Sequence, residues 1–165
     1  MDETTTRPSP TPTAGDLSLP SPEDRAGAAA VGMSVALWAS VTPDSPAVIS
    51  PTGDRTFAEL DRRANQLVGA LRSRGISSGD TIALVCSNRP EFAEVVQACL
   101  RAGLRYTPIN WHLTAAEIAY IVDDCDGRAI IGDSGFADAL AEVAHSCPAA
   151  SVRLAVGGPI EEYED

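Results

Sequence analysis

From Thr81 to Val156, strand-length apolar runs alternate with amphipathic stretches of ten to fifteen residues, and this alternation leaves few architectures open. Thr81–Cys86 is a continuous apolar run of strand length. Pro90–Ala102 carries Pro in its first turn and Gly103 at its end, which predicts a helix. Arg105–Ile109 reads as a strand, Thr114 opens a helix with Ile118, Ile121 and Val122 inward, and Arg128–Gly132 reads as another strand. Phe136–Ser146 then predicts a helix and Val152–Val156 a last strand. Parallel strands need crossovers of a dozen or more residues, commonly helical. The expectation is therefore an α/β fold of alternating, right-handed βαβ units on a mainly parallel sheet.

The helix starts are marked by side-chain chemistry. Thr56-Phe57-Ala58-Glu59 and Thr114-Ala115-Ala116-Glu117 both fit a capping box, in which Thr and Glu satisfy each other's backbone N–H groups. After the first box, Leu60, Ala64, Leu67, Val68 and Leu71 share one face, and Gly75 predicts the stop. Upstream, Met33, Val35, Leu37, Trp38 and Val41 suggest a short helix ending near Thr42-Pro43, followed by a strand at Ala47–Ser50 and a turn at Pro51–Asp54. Residues 1–30 hold five prolines and few large apolar groups. Such a stretch cannot offset its own ordering entropy, so a disordered Thr/Pro-rich leader is expected over 1–30, and one domain over 31–165.

Charge removes several function classes. All 12 basic residues are Arg, against 23 acids, for a net charge of −11. Nucleic acid and anionic lipid are held by basic patches, so neither is an expected partner. The lack of Lys rules out a phosphate-loop lysine, a Schiff base and a Ser–Lys nucleophile pair. No apolar run reaches 18 residues, so no membrane span is expected, and the acidic N-terminus lacks the pattern of a secretory signal. Cys86, Cys99, Cys125 and Cys147 show neither paired spacing nor metal-ligand spacing, which fits free thiols in a reducing cytoplasm.

Four groups of residues could carry chemistry. Gly132-Asp133-Ser134-Gly135 joins a strand to a helix and could offer backbone N–H groups to an anion; as a plain βα loop, it would use Ser134 as a helix cap. The same residues resemble the surroundings of some serine nucleophiles, but Phe136 stands where a nucleophile elbow needs Gly, and nothing places His145 as a base. Asn110-Trp111-His112 lies just past the carboxyl end of a strand, where parallel sheets bind ligands, so these three residues are the candidate substrate or partner pocket. Turn chemistry alone would also account for them. Asp123, Asp124 and Asp126 lack EF-hand spacing and read as a solvated acidic turn, while Glu91 and Glu94 sit where a helix dipole favours them. No metal ligand set and no catalytic residue is assigned.

From Leu37 to about Ile131 the order of short motifs resembles the N-terminal part of AMP-forming adenylating enzymes, in particular acyl-CoA synthetases (fatty-acid–CoA ligases). The matching pieces are Pro43-Asp44-Ser45-Pro46-Ala47, Thr56 through Asn65, Gly79-Asp80, Asn88-Arg89-Pro90-Glu91, and Ala98 with Ala102-Gly103. The most specific is Tyr106 through Thr114, continued by Glu117 and Tyr120-Ile121. The resemblance implies the first subdomain of a larger N-terminal domain, cut before the ATP phosphate loop. It also implies a family reaction that uses ATP, Mg and coenzyme A to turn a carboxylic acid into an acyl-adenylate and then a thioester. No nucleotide-binding motif of the family has a counterpart here, so the chain alone is expected to bind no cofactor and to be inactive, with a separate chain carrying the rest as its partner. Uncovered strands would also favour self-association. A stand-alone α/β module that binds a protein, and a small serine hydrolase using Ser134, are the alternatives.

Overall fold

The computed structural model describes residues 19–164. Helix α1 (Pro22–Ala30), helix α2 (Ser34–Val41), and a hairpin of β1 (Pro46–Val48) with β2 (Arg55–Thr56) come first, ahead of a third helix and the main sheet. Helix α3 (Phe57–Ser73) starts where the first capping box predicts. Thr56 Oγ1 accepts the Glu59 N–H at 3.2 Å, and Glu59 accepts the Thr56 N–H at 2.9 Å. Its buried face is Leu60, Ala64, Val68 and Leu71, with Leu67 half-buried.

The rest alternates as expected: β3 (Thr81–Val85), α4 (Pro90–Ala102), β4 (Arg105–Pro108), α5 (Ala115–Asp124), β5 (Gly127–Asp133), a 3-10 turn (Ser134–Phe136), α6 (Ala137–Ser146) and β6 (Val152–Val156). Helix α4 ends at Gly103, whose left-handed backbone (φ 68°) returns its N–H to Cys99 O. The four strands are all parallel, in the order β4-β3-β5-β6.

Alternate strand residues feed two cores, because successive side chains of a strand point to opposite faces. Ala83, Val85 and Ile130 pack with Ile118 and Val122 of α5 and Leu140 and Val143 of α6. Ile82, Leu84, Ala129, Ile131 and Leu154 pack with Leu71 of α3 and Val95 and Cys99 of α4. Burying a large aliphatic side chain is worth about 1.5–3 kcal/mol, so these two layers hold the sheet. The outer edge of β6 is partly taken up by Glu164, whose N–H reaches Arg153 O at 2.9 Å while its carbonyl accepts Ala155 N–H at 2.6 Å. Among the described residues no helix is long and apolar enough to cross a membrane.

Strands β3 and β4 end one residue before the sequence expectation, β5 extends one residue beyond it at each end, and β2 is a strand that the sequence does not predict; other boundaries also differ. Residues 22–30, expected inside the disordered leader, form α1, because Ser21 and Asp24 make a capping box, Pro22 stands in the first turn and the segment is rich in Ala. The part of the leader over 1–18 lies outside the described residues. The first strand stops at Val48 rather than Ser50, since Ser50 is drawn into a turn by Gly53 O and Asp54. Helix α6 begins at Ala137 rather than Phe136, after the 3-10 turn.

Thr114 and Glu117 hold the start of α5 reciprocally, with Glu117 accepting the Thr114 N–H at 2.9 Å. Thr114→Ala is expected to cost about 1 kcal/mol. A thermal melt should show a loss of roughly 2–4 °C; an unchanged midpoint would mean that the box does not hold the helix.

Candidate functional site

The carboxyl ends of the four strands meet along one edge. At the end of β4, the Ile109 N–H still pairs with Leu84 O at 2.8 Å, and the chain then turns. Asn110 Oδ1 accepts the His112 N–H at 3.1 Å, and Asn110 O accepts the Leu113 N–H at 3.2 Å, so the Asn110 side chain shapes this turn. Trp111 contacts two rings: His112, tilted at 33° with centroids 3.4 Å apart, and Phe136, stacked at 4.9 Å and nearly parallel at 14°. At 37% exposure Trp111 is nonetheless one of the exposed large apolar side chains among the described residues. Asn110 and His112 are exposed beside it. The structure thus brings the three sequence candidates together at the strand-end edge, while cavities of about 390, 210 and 340 Å³ elsewhere are lined by other residues.

The Gly132-Asp133-Ser134-Gly135 segment differs from both readings of the sequence. The helix-capping side chain is Asp133, not Ser134: Asp133 Oδ1 accepts the Gly135 N–H at 3.0 Å. That N–H is therefore committed, and a carboxylate stands where an anion would have to bind. Asp133 also accepts Ser87 Oγ–H at 2.5 Å and Arg89 Nη1–H at 2.9 Å. Burial by itself would raise its pKa, but the Ser87 hydroxyl, the Gly135 N–H and the Arg89 guanidinium together hold it below the ordinary carboxylate value.

From Arg89 a chain of charges continues into the helical layer. Arg89 Nε reaches Glu91 at 2.8 Å, Glu91 lies 3.5 Å from Arg55, and Arg55 Nε bonds Glu94 at 2.8 Å. Glu94, 8% exposed, is also within 3.6 Å of Arg63. Glu91 and Glu94 therefore do more than favour a helix dipole: they bind α4 to β2 and α3. Sequence reasoning singled out neither Asp133 as a cap nor Arg89 as its counter-ion. An Asp two residues before a Gly is a visible Asx-turn signal, but the pairing across 44 residues has none.

Ser134 lies against Gly158, with Oγ 3.3 Å from where a Cβ there would sit. Among the described residues neither histidine bonds to Ser134, and His145 Nδ1 is engaged with Ala141 O at 2.8 Å in its own helix. The four thiols are free, with Cys125 only half-buried. Burial pushes Cys86 and Cys99 up to about 12 and Cys147 to about 11, which keeps these three protonated. Asp123, Asp124 and Asp126 are exposed at the end of α5. Among the described residues no group of three or more His, Cys, Asp or Glu could hold a metal.

The residues of this edge do not fit a Mg-bound nucleoside triphosphate. The chain has no Lys, the Gly135 N–H is occupied by Asp133, and the nearest guanidinium, Arg89, is shared between Asp133 and Glu91. No step through such a group is derived from them.

A family model described as "AMP-binding enzyme" matches residues 35–164. The fatty acid–[acyl-carrier-protein] ligase ScoC of Streptomyces coeruleorubidus is 28% identical over 112 residues, covering 68% of this chain and 22% of that protein. The 2-succinylbenzoate–CoA ligase of Bacillus licheniformis is 35% identical over 98 residues, covering 59% of this chain and 20% of that protein. The crystal structure of the N-terminal domain of FACL13 from Mycobacterium tuberculosis has a TM-score of 0.71 at 24% identity, covering 76% of this chain and 33% of that one. That last likeness speaks for the fold. The chain spans about a fifth of the length of these two curated relatives.

Proposed function

Because the chain belongs to the AMP-binding enzyme family, we propose that it serves as the N-terminal part of an adenylating acid–thiol ligase. The full reaction would activate a carboxylic acid, of the fatty-acid class, with Mg–ATP to an acyl-adenylate and pass the acyl group to a thiol, coenzyme A foremost. The observation that carries this reading is the family match over residues 35–164. The relatives quoted above, ligases that join an acid to coenzyme A or to an acyl-carrier protein, support the reaction class.

The isolated chain does not adenylate, since it offers no stabiliser for the charge that develops during phosphoryl transfer. The remaining segments of the ligase, joined to this chain or supplied as a separate one, complete the site. Asn110, Trp111 and His112 form the part of the pocket contributed here. Free thiols fit work in the cytoplasm. The hydrolase reading of Ser134 is set aside for want of a base.

The test is calorimetric titration of the purified chain with Mg–ATP beside an acyl-adenylate assay on mixed fatty acids. No heat and no adenylate are expected from the chain alone, and adenylate on addition of the remaining ligase segments. Micromolar ATP binding or turnover by the chain alone would overturn the reading.

A further inference from the structure

We propose that Asp133 is the positioning residue of the sheet's carboxyl edge, holding the loops that leave β3, β4, β5 and β6 in one arrangement toward the acid substrate. This rests on the reading of that edge as the ligand-facing side. Asp133 is the last residue of β5 and is 4% exposed. Its Oδ2 takes the hydroxyl and the N–H of Ser87 (2.5 and 3.4 Å), fixing the exit of β3. Its Oδ1 takes Gly135 N–H, fixing the exit of β5, and through the turn that follows sets Phe136 beneath Trp111 at the exit of β4. The same oxygen takes Arg89 Nη1, and the guanidinium of Arg89 lies against Gly157 at the exit of β6, so closely that a Cβ there would collide with it. Gly157 (φ 85°) thus meets the demand of both backbone and contact.

One buried carboxylate therefore reaches all four loops, three by direct or single-residue links and the fourth through an aromatic stack. A well-packed apolar group would serve stability as well as a buried ion pair does. What the carboxylate adds is direction, because each hydrogen bond fixes where its donor's loop stands.

The experiment uses Asp133→Asn in a Trp38→Phe background, which leaves Trp111 as the single indole. Its readouts are the near-ultraviolet circular dichroism of Trp111 and hydrogen exchange of residues 110–113 and 157–164, where the Tyr163 and Glu164 N–H groups are bonded, well below the melting point. Positioning by Asp133 predicts loss of half or more of the indole band and roughly tenfold faster exchange in both segments, although they belong to different strands. Val143→Ala, a cavity in α6, is the comparator and should melt earlier with neither change. If Asp133→Asn melts earlier but keeps band and exchange, as Val143→Ala does, the positioning role is overturned. Should Asp133→Asn fail to fold, Ser87→Ala removes one donor and must show the same pattern at smaller size; an unchanged pattern overturns the proposal equally. These signals need no ligand, so failure of the ligand-facing reading would show in the titrations and leave them untouched.

Discussion

Replacing Arg89 by Met is expected to cost the chain about 3 kcal/mol, because it strips a buried carboxylate of its counter-ion while keeping much of the side-chain bulk. The Asp133 side chain is 6% exposed and that of Arg89 16%, so little water can take the place of the guanidinium. Glu91 loses its partner at Nε in the same step and is left to Arg55. At roughly 2–4 °C per kcal/mol for a chain of this size, the melting point should fall by about 6–12 °C. The pH dependence has a fixed sign. The Asp133 carboxyl is held below its ordinary 3.8 in the folded chain, so the stability it contributes is present above that value and is lost as pH falls through the lower folded value. Arg89→Met removes one of the groups that hold it down, so the acid edge of the stability profile should move to higher pH. A variant with unchanged melting point and unchanged acid edge would mean that the pair is decorative.

The second large effect concerns the inner packing of β5 against α6. Leu140 is fully buried, and Leu140→Ala should cost about 3 kcal/mol as a cavity opens in the core. Its terminal methyl lies 2.6 Å from the place a Cβ on Gly132 would occupy. Gly132→Ala alone is therefore an overpacking change of about 1–3 kcal/mol. The two should not add: in the double variant the new methyl enters the space that Leu140 vacates, with a favourable coupling of at least about 1 kcal/mol. Denaturant titrations of the four proteins measure it. Simple additivity would mean that strand and helix move apart rather than touch. The same contact explains the first glycine of the Gly-Asp-Ser-Gly segment, which serves packing rather than a strained nucleophile turn.

Much of the fold was legible because its signals are local. The Thr56 and Thr114 capping boxes, the Pro in the first turn of α4 and the Gly at its end each act over three or four residues, and the helices they mark appear where expected. Ser21 and Asp24 make a third box of the same kind, masked by the surrounding Pro and Thr, and α1 follows from it. The aromatic loop was legible as a place but not as an arrangement. Asn110 before a turn can be read from the chain, whereas the Phe136 ring that closes one face of Trp111 arrives from 25 residues away.

By itself, then, the sequence determined the alternation of elements, the apolar run of the central strand β3, the absence of lysine chemistry and the motif order that marks the family. Each of these depends on residue type and short spacing. Tertiary structure decided the strand order, the role of Asp133 and its pairing with Arg89, and the path of charges from Arg89 to Arg63. These rest on groups brought together from distant stretches of chain, where burial, rather than any neighbour in sequence, decides which charges must meet.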